Sequence, residues 1–143
     1  MHLESNFLIV DDEPPIRKIV ITFLKKAGYV NFYTAEDGAK ALDIIKFNDI
    51  DIIISDWTMP NVTGIELLEA VRKNPDLKDI PFIMLTVEAR KNNVQTAGVN
   101  HVSDYIIKPF SANTLLKKVA DVLRRRSMAS AGQGTSKRSV SRP

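Results

Sequence analysis

Cysteine is absent from the 143 residues. That removes disulfides, thiolate metal sites and cysteine nucleophiles from consideration at once. A chain without cysteine suits a reducing compartment, and a cytoplasmic location is the expectation. Also missing is any apolar run approaching the ~20 residues that a helix needs to cross a bilayer. The opening Met1-His2-Leu3-Glu4-Ser5-Asn6 has neither the basic cluster nor the apolar stretch of a secretory leader. No membrane insertion is expected. Acidic residues are missing from residues 127–143, which carry Lys137, Arg138 and Arg142. The preceding 126 residues hold 17 basic side chains against 17 acidic ones, so the net charge of +3 belongs wholly to the final stretch. A phosphate-binding surface clusters many more cations than this, and no specific nucleic-acid partner is expected.

What is present describes an ordinary globular unit. Hydrophobic residues make up 44% and charged residues 26% of a chain with no internal repeat. Five short apolar runs punctuate it: Phe7–Val10, Phe32-Tyr33, Ile52–Ile54, Phe82–Leu85 and Tyr105–Ile107. They are rich in β-branched and aromatic residues and mostly lack polar alternation, the pattern of strands covered on both faces. Helical spacing fills the intervals. Ile16, Ile19, Val20, Phe23, Leu24 and Ala27 make one apolar stripe, with Gly28 placed to stop the helix. Ala41, Leu42 and Ile45 suggest a second helix, and Thr63 can cap a third that includes Ile65, Leu68 and Val71. Arg90 to Gly98 is a weak helical stretch, because Asn92 and Asn93 are poor helix formers. Ser111 can cap a last helix bearing Leu115, Leu116, Val119, Val122 and Leu123. The alternation predicts an α/β fold with a parallel sheet between helical layers. The expected domain spans residues 1–126, and residues 127–143, a Ser/Gly/basic tail with few apolar groups, are expected to be disordered.

Ligands of open parallel sheets bind beyond the carboxyl ends of the strands. The first run ends in Asp11-Asp12-Glu13, the third in Ser55-Asp56, the fourth in Thr86 and the fifth in Lys108-Pro109. Three aspartates, a hydroxyl and an ammonium are thereby expected at one sheet edge. Carboxylates gathered so closely need a cation, and magnesium, with hard oxygen ligands and several retained waters, suits one or two of them plus a carbonyl. A carboxylate oxygen can attack phosphorus to form an acyl phosphate, while a metal and Lys108 offset the spread phosphoryl charge.

These residues together, Asp11-Asp12, Asp56-Trp57-Thr58-Met59-Pro60, Thr86 and Lys108-Pro109-Phe110, resemble the signature of bacterial response-regulator receiver domains. The match is nearest to stand-alone chemotaxis-type regulators and spans about residues 5–125. The resemblance implies a doubly wound five-stranded parallel sheet, flavodoxin-like, in the order 2-1-3-4-5. It implies Asp56 as phosphoacceptor, with Lys108 and Thr86 assisting as the other catalytic residues. Magnesium would be bound by Asp12, Asp56 and the backbone carbonyl of Thr58 directly, and by Asp11 through water. Thr86 and Tyr105 would form the switch, Thr58 and Glu88 would tune dephosphorylation, and the bond before Pro109 would be cis. The implied partners are a histidine kinase as phosphodonor and a downstream target such as a flagellar-motor component. That target would meet a face formed by the fourth helical stretch, the fifth strand and the last helix, with Arg90, Lys91, Tyr105 and Lys118 on or near it. No output domain and a monomeric state are the expectation. One departure stands out: His101 lies four residues before Tyr105, where such domains often carry glycine.

Plainer roles exist for each residue. Asp11 and Asp12 could cap the first helix, Thr86 could cap the next, Tyr105 could be a half-buried strand aromatic, and Arg124-Arg125-Arg126 could be a solvated helix end. His2 and His101 are expected to be bystanders, and Trp57 a packing or partially exposed loop residue rather than a chemical participant. Among functions, a phosphate sink or relay intermediate would use the same chemistry without an effector. A haloacid-dehalogenase-type phosphatase would need an acid two residues past its nucleophile, where Thr58 stands. A flavodoxin-like nucleotide binder would need a Gly-rich or Ser/Thr-rich phosphate loop where this chain has Asp11-Asp12-Glu13-Pro14-Pro15.

Overall fold

A computed structural model describes residues 2–87 and 102–133. Nine elements follow in order among them: β1 (Asn6–Val10), α1 (Pro14–Lys26), β2 (Asn31–Ala35), α2 (Gly38–Phe47), β3 (Ile52–Asp56), α3 (Gly64–Lys73), β4 (Phe82–Val87), β5 (Asp104–Lys108) and α4 (Ala112–Gln133). The five strands form one parallel sheet in the order β2-β1-β3-β4-β5. This is the doubly wound α/β arrangement expected from the sequence.

The apolar runs work as strands buried on both sides. Phe7, Ile9, Ile52, Ile54, Ile83, Leu85 and Ile106 face one core, with Val20 and Leu24 of α1 and Leu115, Val119 and Leu123 of α4. Leu8, Val10, Ile53, Phe82 and Met84 face the other, with Ala41 and Ile45 of α2 and Leu67, Leu68 and Val71 of α3. Each fully buried aliphatic side chain contributes roughly 1.5–3 kcal/mol, so a one-residue slip of a central strand would exchange the two faces.

Local chemistry sets the helix ends. Pro14 and Pro15 open α1, where proline gives up only a spare donor. Gly28, at φ +100°, closes it: its N–H meets the Lys25 carbonyl while that of Tyr29 reaches back to Leu24. Thr63 and Glu66 cap α3 reciprocally, and the Ser111 hydroxyl accepts the Thr114 N–H. Asp37 caps α2 by accepting the Lys40 N–H at 2.9 Å.

Two features depart from expectation. Helix α4 runs to Gln133, past the break in composition at Ser127. Adding residues to a helix already nucleated costs little, and alanines at 129 and 131 propagate it. Arg126 is half-buried rather than solvated. It donates to the Asp51 carbonyl at 2.8 Å and lies 3.6 Å from the Asp51 carboxylate, tying α4 to the start of β3. The weak helix at Arg90 to Gly98, with Lys91, Glu88 and His101, lies outside the described residues, as does the stretch from 134 onward.

Candidate functional site

The carboxyl ends of β1, β3, β4 and β5 share one edge because parallel pairing aligns them. Asp56 stands opposite Leu85, Thr86 opposite Ile107 and Val87 opposite Lys108. Asp11 follows β1 directly and is fixed on all sides. Its N–H donates to the Ala35 carbonyl at 3.1 Å, and its own carbonyl accepts the Arg17 guanidinium. One carboxylate oxygen accepts the Glu13 N–H at 2.9 Å, and the other accepts the Lys108 ammonium at 3.1 Å. Asp11 thus holds the Glu13 N–H just ahead of α1 without capping the helix, whose N-cap Glu13 has no side-chain cap bond, and it is wholly buried. Asp12 beside it is exposed.

Asp56, at the tip of β3, is 8% exposed and accepts Lys108 at 3.0 Å. Its backbone is as tightly held as its side chain. The Asp56 carbonyl lies so near α3 that a Cβ on Gly64 would come within 2.0 Å of it. The neighbouring Trp57 bonds both ways, its N–H to Leu85 and its carbonyl to the Gly64 N–H at 2.9 Å. Oxygens of Asp11, Asp12 and Asp56 all lie within 4.8 Å of one another.

Burial pushes the Asp56 carboxyl above its ordinary pKa; the Lys108 hydrogen bond opposes this and the Asp11 charge adds to it. For Lys108, burial works against the ammonium, but hydrogen bonds and charge from Asp56 and Asp11 outweigh it and raise its pKa. Lys108 is therefore a firm cation between two carboxylates. One ammonium against three carboxylates leaves the cluster short of positive charge. A hard divalent cation fits that deficit and the all-oxygen donor set.

Thr86 is 2% exposed at the end of β4, with its hydroxyl donating to the Val87 carbonyl at 3.2 Å. Thr58 is exposed on the loop after β3, and Met59 next to it is buried in the core. Tyr105 is half-buried on edge strand β5, paired in register with Met84, and the Lys118 ammonium meets the Asp104 carboxylate at 3.0 Å nearby. The Lys108–Pro109 bond is cis. Asp11, Asp12, Asp56 and Lys108 come together as the sequence predicts. Arg17, Asp37 and Gly64 hold the site's loops without having been foreseen. A glycine four residues past Pro60 was the one available hint.

This edge, four strand ends converging on carboxylates and one lysine, defines an α/β module with an acidic cluster at the carboxyl ends of its parallel strands. A family profile described as the response regulator receiver domain matches residues 7–120. The chain belongs to the response regulator receiver family. It is 40% identical over 125 residues to the chemotaxis protein CheY-3 of Vibrio cholerae, covering 87% of this chain and 96% of that one. It is 38% identical over 118 residues to the chemotaxis protein CheY of Pseudomonas aeruginosa, covering 82% and 95%. Among solved structures it resembles the chemotaxis response regulator CheY4 of Vibrio cholerae, with a TM-score of 0.73, 38% identity and coverage of 83% and 98%. The fold and the response-regulator receiver class expected from the sequence both stand. Among the described residues, no helix is long and apolar enough to cross a membrane.

Proposed function

We propose that residues 1–126 act as a cytoplasmic phosphoacceptor switch, in which Asp56 receives a phosphoryl group from a histidine kinase in a magnesium-dependent reaction. One observation carries this reading: the oxygens of Asp11, Asp12 and Asp56 within 4.8 Å of one another, with the Lys108 ammonium 3.0 Å from Asp56. Asp12, Asp56 and the Thr58 carbonyl would hold magnesium directly, and Asp11 through water. When bound, the ion offsets charge on the phosphoryl oxygens.

An Asp56 oxygen forms a bond to phosphorus as the donor's P–N bond breaks, and the imidazole leaves with the electron pair and takes a proton. Lys108, aimed at the same carboxylate, balances the negative charge that arrives. The Thr86 hydroxyl exchanges its Val87 partner for a phosphoryl oxygen, and Tyr105, only half-buried, turns inward with it. That rearrangement changes the face near Tyr105 and Lys118 that a downstream protein, such as a flagellar-motor component, would contact. The chain assists its own phosphorylation and dephosphorylation and turns over no separate substrate.

Incubation with acetyl phosphate and magnesium is expected to add the mass of one phosphate, labile to hydroxylamine, and Asp56→Asn to abolish it. Labelling that survives in Asp56→Asn, or resists hydroxylamine, defeats the assignment. Pull-down with and without beryllofluoride separates a switch, whose partner affinity changes, from a phosphate sink, whose affinity does not.

A further inference from the structure

The loop after β3 carries Thr58, and a second acidic residue outside the pocket holds that loop. Asp37, at the start of α2, is 5% exposed. One of its oxygens caps the helix through the Lys40 N–H at 2.9 Å, and the other accepts the Asn61 side-chain amide at 3.0 Å. An N-cap needs only the first of these bonds. The second reaches 24 residues along the chain to the loop that leaves Asp56.

The two loops are pressed together there. The Gly38 N–H donates to the Val62 carbonyl at 3.1 Å, and a Cβ on Gly38 would come within 2.5 Å of the Val62 side chain and 2.7 Å of its carbonyl oxygen. Asn61 itself sits at φ +64°, a left-handed conformation that asparagine tolerates better than most residues. The hydrogen bond that its side-chain amide donates to Asp37 helps hold this turn. The Lys40 N–H, and after it the Asn61 amide, keep the Asp37 carboxyl below its usual pKa, so it is a carboxylate at neutral pH. Met59 is buried in the core on one side of the turn and Asn61 is tied to Asp37 on the other, with Pro60 between them. Thr58 lies just before this anchored segment.

We propose that Asp37 is a positioning residue for the acidic pocket: through Asn61 it holds the β3–α3 loop in the shape that presents the Thr58 carbonyl to a divalent cation. This rests on the phosphoacceptor reading above and adds to it a residue that touches neither metal nor phosphate. Magnesium tolerates little departure from octahedral geometry, so a loop released from Asp37 binds it less well even when all three pocket aspartates are intact.

Two variants isolate the tie. Asp37→Ser keeps a good helix cap but cannot reach Asn61, and Asn61→Gly keeps the left-handed turn but lacks the amide. Calorimetric titration with magnesium is expected to show each weakening the ion roughly threefold to tenfold, the span that one hydrogen bond commands. The double variant should be no worse than either single one. In the metal-free chain, the Gly38 amide should exchange faster with solvent in Asn61→Gly, although residue 61 lies far along the chain. Variants that bind magnesium like the parent overturn the proposal, as do effects that add in the double variant. If the parent itself takes up no magnesium while Gly38 exchange still responds, the pocket reading falls and this inference falls with it; normal binding by the parent with unresponsive variants sinks this inference alone.

Discussion

The Lys108 ammonium reaches from the end of β5 to within 3.0 Å of the Asp56 carboxylate, across a gap that the sequence separates by 52 residues. Asp11 closes the same bridge from β1 at 3.1 Å. Removing the cation leaves two buried carboxylates facing each other. Lys108→Ala is expected to lower the stability of the metal-free chain at pH 7 by about 1.5–3 kcal/mol, the worth of hydrogen bonds to charged groups. It should permit some phosphorylation but uncouple the conformational response. Urea unfolding in EDTA and partner binding with beryllofluoride check the two halves; unchanged stability and normal signalling would defeat the role given to Lys108.

Asp56 yields a pH dependence. Burial raises its carboxyl pKa in the folded chain, so its contribution to folding is full below the unfolded value near ~3.9. That contribution is lost as pH rises through the folded value. At neutral pH without metal, ionised Asp56 therefore weighs against the fold. Asp56→Asn should raise the melting temperature in EDTA at pH 7, with the gain shrinking as pH falls toward the unfolded value. A gain that grows on acidification would contradict the assignment.

Gly64→Ala places a Cβ within 2.0 Å of the Asp56 carbonyl, a clash with backbone that no side-chain rotation relieves. A loss of about 1–3 kcal/mol or more is expected, together with slower acetyl-phosphate labelling, because Asp56 must shift. Wild-type values for both in a denaturant series would show that α3 can move away freely.

Arg126→Ala removes the donor to the Asp51 carbonyl. About 1 kcal/mol of stability should go with it, and amide exchange should rise in the last turns of α4 more than in α1. Uniform exchange changes across both helices would argue that the contact does not pin the helix end.

Much of this was legible residue by residue. The runs at Phe7, Ile52 and Phe82 are apolar without alternation because both sheet faces are covered, and that same burial makes them recognisable. Asp11, Asp56 and Lys108 could be grouped in advance because parallel strands deliver their carboxyl ends to one edge. Asp37 gave no such signal. A helix-capping aspartate looks the same in sequence whether its second oxygen meets water or Asn61. Arg126 was hidden likewise in a run of three arginines, since only the packing of α4 decides which of them turns toward Asp51.

Local patterning by itself determined the element types, the two-sided core and the residues that end each strand, because hydrophobic period and capping chemistry act over a few neighbours. Only the tertiary structure decided which strand ends touch, that Asp11 is wholly buried while Asp12 is exposed, and that Asp37 and Gly64 brace the loop beyond Asp56. Those outcomes depend on distances between segments far apart in the chain, and such distances exist only once the sheet has paired and the helices have packed.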